Sequence, residues 1–394
     1  MVVKLLHANI AHAALSMTLA NFGGQMVGIF IPLLLLTKGV KLWQICLYYL
    51  CASLCKLLLN YPSTKFIATA GVRRSMIVGY ILNGVQLFIL AAFIAHRGDW
   101  LMYIVPITMA ITNCLLWNAM HFHVSSSVDE SQKGRNLAAL DSLRNFCEIA
   151  APAAGALVAS LFGGSWLVVC GGLLALSAVV PMLLSPSDKK EVATAPLTLS
   201  FHNAPPRDLI ASFGFNLQKG IGWLVWPIYL AIFLPNFRSI GIITALSSAA
   251  AILLLYIAAK RNDRGRNRRV LVESTALISI AHISRIFAFT PLTLALASAF
   301  YRMSVGYLVL PWTSAYYAHA RRKGIAYIMS MELAGDLAYI VMWSGLGVIA
   351  FFAETSFFFS VVFGAAAITA WLTLLIRHEK RKPEPALSLQ SSSS

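Results

Sequence analysis

Twelve apolar blocks, each long enough to cross a bilayer, restrict this chain more than any other feature. A helix rises about 1.5 Å per residue, so about 20 apolar residues cross about 30 Å of hydrocarbon. The blocks fall at 11–36, 42–61, 75–95, 100–121, 137–162 and 165–185, then at 208–234, 238–259, 270–290, 291–317, 324–352 and 355–376. A soluble core would be assembled from shorter runs, and an outer-membrane barrel would alternate apolar and polar positions. Only 12% of the residues are charged, against about 25% in a soluble protein. Lipid offers the backbone no hydrogen bonds, so the spans must be helices. The expected fold class is an all-α polytopic membrane protein with twelve transmembrane helices.

A net charge of +16 would suit a nucleic-acid binder, but its placement argues against one. The N-terminus, the even-numbered connections and the tail carry 22 Lys and Arg residues, and the odd-numbered connections carry 4 (Lys38, Lys41, Arg97 and Arg238). Basic loops stay in the cytoplasm. The expectation is a multi-pass protein of the cell (inner or plasma) membrane with both termini cytoplasmic. The first apolar block is too long for a signal-peptide core and no cleavage site follows it. The six cysteines all fall inside apolar spans without metal-ligand spacing. They read as packing residues.

The chain also repeats itself. Asn21 and Pro32 in the first span correspond to Asn216 and Pro227 in the seventh, and Trp117 in the fourth to Trp312 in the tenth. All three pairs are 195 residues apart. Gly71-Val-Arg-Arg after the second span nearly coincides with Gly265-Arg-Asn-Arg-Arg after the eighth. Six helices per copy make the copies parallel, related by an axis along the membrane normal. The expected organisation is a six-helix half at 1–185, a polar Pro-containing cytoplasmic linker at 186–207, a second half at 208–376 and a disordered cytoplasmic tail at 377–394.

On these features the chain resembles the major facilitator superfamily over almost its whole length. That family carries Gly-x-x-x-Asp-Arg-x-Gly-Arg-Arg after its second helix. Here "TKFIATAGVRRSMIVG" at 64–79 matches at Gly71, Arg73 and Arg74, with Ala68 in place of the Asp and Thr64 in place of the first Gly. The second copy, "KRNDRGRNRR", keeps Asp263, Arg264 and Gly265 one residue out of register. "APAAGALVASLFG" at 151–163 is similar, at Pro152 and Gly155, to a segment associated with exporters. The resemblance implies two six-helix bundles, a central cavity walled by helices 1, 4, 7 and 10, and peripheral helices 3, 6, 9 and 12.

Polar residues inside the spans are costly and mark candidate sites. Asn21 and Gln25 share a face of the first span, and Asn113 and Trp117 a face of the fourth. In the seventh, Asn216, Lys219, Trp223 and Trp226 are spaced 3, 4 and 3 apart, which a regular helix places on one face. With Arg302 in the tenth span, these are the candidate substrate-binding residues. Interhelical polar packing is the competing reading for each. Asp141, Arg144 and Glu148 in the fifth span, with Glu332 and Asp336 in the eleventh, are candidates for proton coupling or gating. Desolvation favours the neutral form of any carboxylic acid, and a carboxyl that gains and loses a proton is what coupling requires. Arg302 and Asp336, at similar depth, are expected to come within salt-bridge distance in at least one state. Lys56 and Arg285 are expected to snorkel towards the interfaces or pair locally.

No phosphate-binding loop, metalloprotease signature or nucleophile elbow is present, so no enzyme activity, cofactor or metal is expected. The expected function is secondary active transport of a small organic solute by alternating access, coupled to protons or another ion, with export favoured. An importer or uniporter of an organic anion is the alternative. A non-transporting membrane sensor or assembly protein is the alternative from another class. The expected partners are a small-molecule substrate, a coupling ion and the lipid bilayer, with the protein a monomer.

Overall fold

A computed structural model of the protein describes residues 8–96, 100–126, 133–185, 201–263 and 267–377. Within them run twelve helical rods. The first six are α1 (Ala8–Gly28, then Ile31–Thr37), α2 (Leu42–Ala70), α3 (Val72–His96), α4 (Leu101–Ser126), α5 (Lys133–Phe162) and α6 (Gly164–Ser177, then Val179–Leu184). The next six are α7 (Pro206–Gly220, Ile221–Val225 and Trp226–Phe233), α8 (Phe237–Asp263), α9 (Asn267–Ile286), α10 (Pro291–Lys323), α11 (Ile325–Phe352) and α12 (Thr355–Thr369, then Ala370–Leu375). Nine are apolar and long enough by themselves to cross a membrane among the described residues. The other three are α7, α8 and α9. In α7 Arg207, Asp208 and Lys219 interrupt the apolar run, the apolar stretch of α8 among the described side chains is Phe237–Ile252, and α9 carries Glu273 and Arg285.

Two rods break at matching points, and proline explains both. Its ring removes an N–H and crowds the carbonyl four residues earlier. In α1 the helix stops at Gly28 and resumes at Ile31, ahead of Pro32. In α7 a wide π turn at Ile221–Val225 precedes Pro227. The prolines belong to the 195-residue repeat, so the duplication is visible as a shared break. Elsewhere the rods outrun the expected spans. α2 continues to Ala70, and only Gly71, in the left-handed region at φ +87°, ends it.

The pairing of rods repeats as well. In the first bundle α1 packs on α5 and α6, α4 on α2 and α3, and α3 on α6. In the second, α7 packs on α11 and α12, α10 on α8 and α9, and α9 on α12. The bundles meet where α2 lies along α11 and α5 along α8. Small residues bring the second pair close. A Cβ on Gly241 of α8 would stand 2.9 Å from the Pro152 carbonyl, and one on Gly155 of α5 would overlap the Met26 carbonyl of α1. Pro152 and Gly155 are therefore packing positions.

The apolar core is joined at one end and divided at the other. Around the α1–α2 connection one cluster runs through both bundles, including Phe30, Leu34 and Ile45 with Leu230, Ile240, Trp343 and Phe358. Phe30 meets Phe237 at 5.5 Å between ring centroids, and Tyr49 stacks on Trp343 at 4.7 Å. At the end where α1 begins and α12 finishes, the buried apolar side chains among the described residues cluster within each bundle. Ala13, Ile67, Met76 and Met182 belong to the first bundle, and Phe215, Leu271, Trp312 and Tyr327 to the second. Among the described residues the bundles are thus joined by apolar packing on one side and not on the other.

Candidate functional site

Between the bundles lies a cavity of about 410 Å³, within the usual range for a small-molecule site. The two interrupted rods bring backbone to its wall, through Gly28 and Ile31 in α1 and Gly222 and Pro227 in α7. Seven of the nine expected binding residues line it: Asn21, Gln25, Asn113, Trp117, Trp223, Trp226 and Arg302. Trp117 is 42% exposed.

Asn216 and Lys219 are not in that lining, which corrects the expected face of four residues on α7. The cause is the π turn between Lys219 and Trp223. An i→i+5 turn holds an extra residue, so the two stretches are offset by about 100°. Asn216 donates to the Ser212 carbonyl at 2.9 Å and packs under Gly335 of α11. The Lys219 ammonium lies 5.7 Å from the centre of the Phe215 ring. The repeat partners have diverged in the same way. Trp312, the counterpart of Trp117, is buried and stacks on Phe215 at 4.3 Å.

The charges pair differently from expectation. Arg302 meets Glu148 of α5 at 3.4 Å, with its guanidinium 3.9 Å from the centre of the Trp223 ring. Asp336 meets Lys56 of α2 at 2.6 Å, and Glu332 lies 3.5 Å from the same ammonium. In this conformation Arg302 and Asp336 are held by these partners and not by each other, and Lys56 faces α11 instead of snorkelling. Asn60 donates to the second oxygen of Asp336 at 3.1 Å, and Asn118 of α4 donates to Asn60 at 3.0 Å. Both charge clusters tie one bundle to the other, α5 to α10 and α2 to α11. Sequence position put these charges inside the rods. It could not say which neighbouring rod each would face. The side chains of Asp141 and Arg144 lie outside the described residues.

Sequence reasoning missed Arg285. It is 1% exposed and lines the cavity. Its guanidinium lies 3.7 Å from the centre of the Tyr301 ring and 4.2 Å from that of Trp226. Each such contact contributes up to about 2 kcal/mol when desolvated. Assigning α9 to the periphery hid this residue; its spacing of three from His282, which is also buried, was the available sign of an inward face. Three cavity-lining residues carry buried polar atoms with no partner among the described residues: the Thr112 hydroxyl, the Trp223 indole N–H, and Nε and Nη1 of Arg285.

The loop motif has a capping role. Arg73 donates through Nε to the Met182 carbonyl at 3.1 Å and through Nη2 to Leu183, at the last turn of α6. Arg268, 195 residues on, donates to the Leu374 carbonyl at the end of α12. A cation at a helix C-terminus satisfies orphan carbonyls and complements the dipole. Arg74 is exposed beside Arg73. Arg264, Gly265 and the side chain of Asp263 lie outside the described residues.

Residues 13–234 match the profile of the Major Facilitator Superfamily. Comparison with curated proteins finds no match. Among solved structures, the chain is similar to a bacterial homologue of the iron transporter ferroportin in an inward-facing state, at TM-score 0.65 and 16% identity, over 93% of this chain and 96% of that one. It is similar to a point mutant of the nucleoside transporter NupG at TM-score 0.68 and 13% identity, over 94% and 100%. It is similar to the human organic anion transporter MFSD10 (TETRAN) at TM-score 0.68 and 12% identity, over 93% and 99%. At these identities the likeness is one of fold.

Proposed function

This chain belongs to the major facilitator superfamily, and we propose that it is a proton-coupled secondary transporter which carries a small organic solute through the cavity between its bundles. It is an integral, multi-pass membrane transporter and not an enzyme.

One observation supports the coupling: a carboxylate from the first bundle, Glu148, meets a cavity-lining cation from the second, Arg302, at 3.4 Å. While Glu148 is ionised it holds Arg302 and ties α5 to α10. A proton on Glu148 removes the attraction and leaves Arg302 to the solute. The two bundles then rock about the α2–α11 and α5–α8 contacts, so that the cavity opens to one side at a time. With basic loops cytoplasmic, the end where α1 begins and α12 finishes faces the cytoplasm and both chain ends lie there, in a monomer of the cell membrane. The division into halves joined at 186–207 follows the same reading. Export is favoured by the similarity of the Pro152–Gly155 segment to that of exporters.

The test is Glu148→Gln in vesicles with an imposed pH gradient. Gradient-driven transport is expected to disappear, while solute binding and counterflow exchange persist. Concentrative transport at the wild-type rate in this variant would remove Glu148 from the mechanism and leave Asp336 as the acid to test.

A further inference from the structure

We propose that Arg285 is the anchor for an anionic solute, and that the cavity takes an aromatic monocarboxylate. The proposal rests on reading the cavity as the transport site, and it adds the charge and shape of what enters.

Two guanidiniums line the cavity, Arg285 and Arg302, and no carboxylate is among the described lining residues. Arg302 is balanced by Glu148 at 3.4 Å. Among the described residues Arg285 has no carboxylate within salt-bridge distance, and its Nε and Nη1 have no hydrogen-bond partner. It is nevertheless 1% exposed. A buried charge is ordinarily paired. Here the rings of Tyr301 and Trp226 hold the guanidinium plane on their faces but cannot accept its N–H groups in the plane. A carboxylate in the cavity can, once these enclosed N–H groups turn towards it, and one edge of the guanidinium then matches its two oxygens.

The remaining wall sets the rest of the solute. Trp117, Trp223 and Trp226 offer flat apolar faces, and Asn21, Gln25 and Asn113 a few hydrogen-bonding groups. The net charge of the described groups is one positive, since two guanidiniums face one carboxylate. One anionic group on the solute neutralises it. A second would have to displace Glu148 from Arg302.

The experiment uses the purified full-length protein and three isosteric probes in calorimetric titrations: 2-naphthoate, 2-naphthamide and 2-naphthylmethylammonium. Naphthoate is expected to bind at least about ten-fold more tightly than the amide, and the ammonium not to bind. Arg285→Gln should weaken naphthoate at least about ten-fold and leave the amide unchanged, with Arg285→Lys intermediate. The melting temperature of unliganded Arg285→Gln should change little, because the loss of its contacts with Tyr301 and Trp226 is offset by the removal of an unbalanced buried charge. Equal binding of amide and acid, unaltered naphthoate binding in Arg285→Gln, or no binding by any probe overturns the proposal. So does a lower melting temperature with the amide lost as well, since Arg285 would then be structural. If naphthoate binds through Arg285 but is not exchanged across vesicles, the anchor stands and the transport reading fails. If Arg285→Gln binds naphthoate normally while Glu148→Gln still uncouples transport, the reverse holds.

Discussion

At the residue scale, the Lys56 cluster shows how charge is tolerated between the bundles. Asp336 is 1% exposed, receives the Lys56 ammonium at 2.6 Å and the Asn60 amide at 3.1 Å, and has Glu332 as a second acid beside the same lysine. The two ways of breaking it are therefore unequal. Lys56→Met leaves two carboxylates with no cation between them and is expected to cost about 3–5 kcal/mol. Asp336→Asn leaves Lys56 with Glu332 and should cost less. The double variant should recover at least ~1 kcal/mol relative to Lys56→Met, because the charge it orphaned is gone. Thermal unfolding of the three proteins in one detergent measures this. A double variant no more stable than Lys56→Met would mean that the two side chains do not act as a pair.

At the element scale, the π turn of α7 sets the geometry of the cavity wall. It moves Trp223 and Trp226 into the lining and leaves Asn216 and Lys219 outside. It also brings backbone so near α10 that a Cβ on Gly222 would overlap the Tyr301 hydroxyl. Tyr301 in turn supports Arg285. Gly222→Ala is thus expected to destabilise by about 1–3 kcal/mol through overpacking and to displace Tyr301, weakening anion binding as well. An unchanged melting temperature and unchanged naphthoate titration in that variant would show that α7 does not approach α10 this closely. The caps at Arg73 and Arg268 are a second device of this scale. Each fastens the start of one rod to the last turn of another, in equivalent places in the two bundles.

At the scale of the whole molecule, the joined core around the α1–α2 connection must open if the solute is to leave on that side. Trp43 of α2 and Phe351 of α11 meet across it at 5.8 Å between ring centroids. A Cβ on Gly347 of α11 would stand 3.6 Å from the Cβ of Cys46 of α2, the separation a disulfide needs, so Gly347→Cys is expected to form a disulfide with Cys46 that arrests counterflow in proteoliposomes, with exchange restored by reduction. Full exchange in the oxidised protein would mean that this end need not part.

The twelve rods, their order and the duplication were legible in the sequence, because each follows from local composition. A bilayer dictates the length of an apolar run. Proline dictates a break wherever it falls, so Pro32 and Pro227 mark the interrupted rods without any tertiary information. The same locality singled out seven of the residues that line the cavity. What the sequence could not specify is rotation about each rod axis, which depends on neighbours. A π turn of one extra residue reassigned Asn216 and Lys219 to packing. A shift of partner joined Arg302 to Glu148 and Asp336 to Lys56, because side chains at equal depth on several rods are indistinguishable until the rods are packed. Arg285 is the extreme instance. Its position on a rod assigned to the periphery says interface, and only the packing of α9 against α10 and α12 turns it towards the cavity, where burial leaves it two aromatic faces and no protein carboxylate within salt-bridge distance among the described residues.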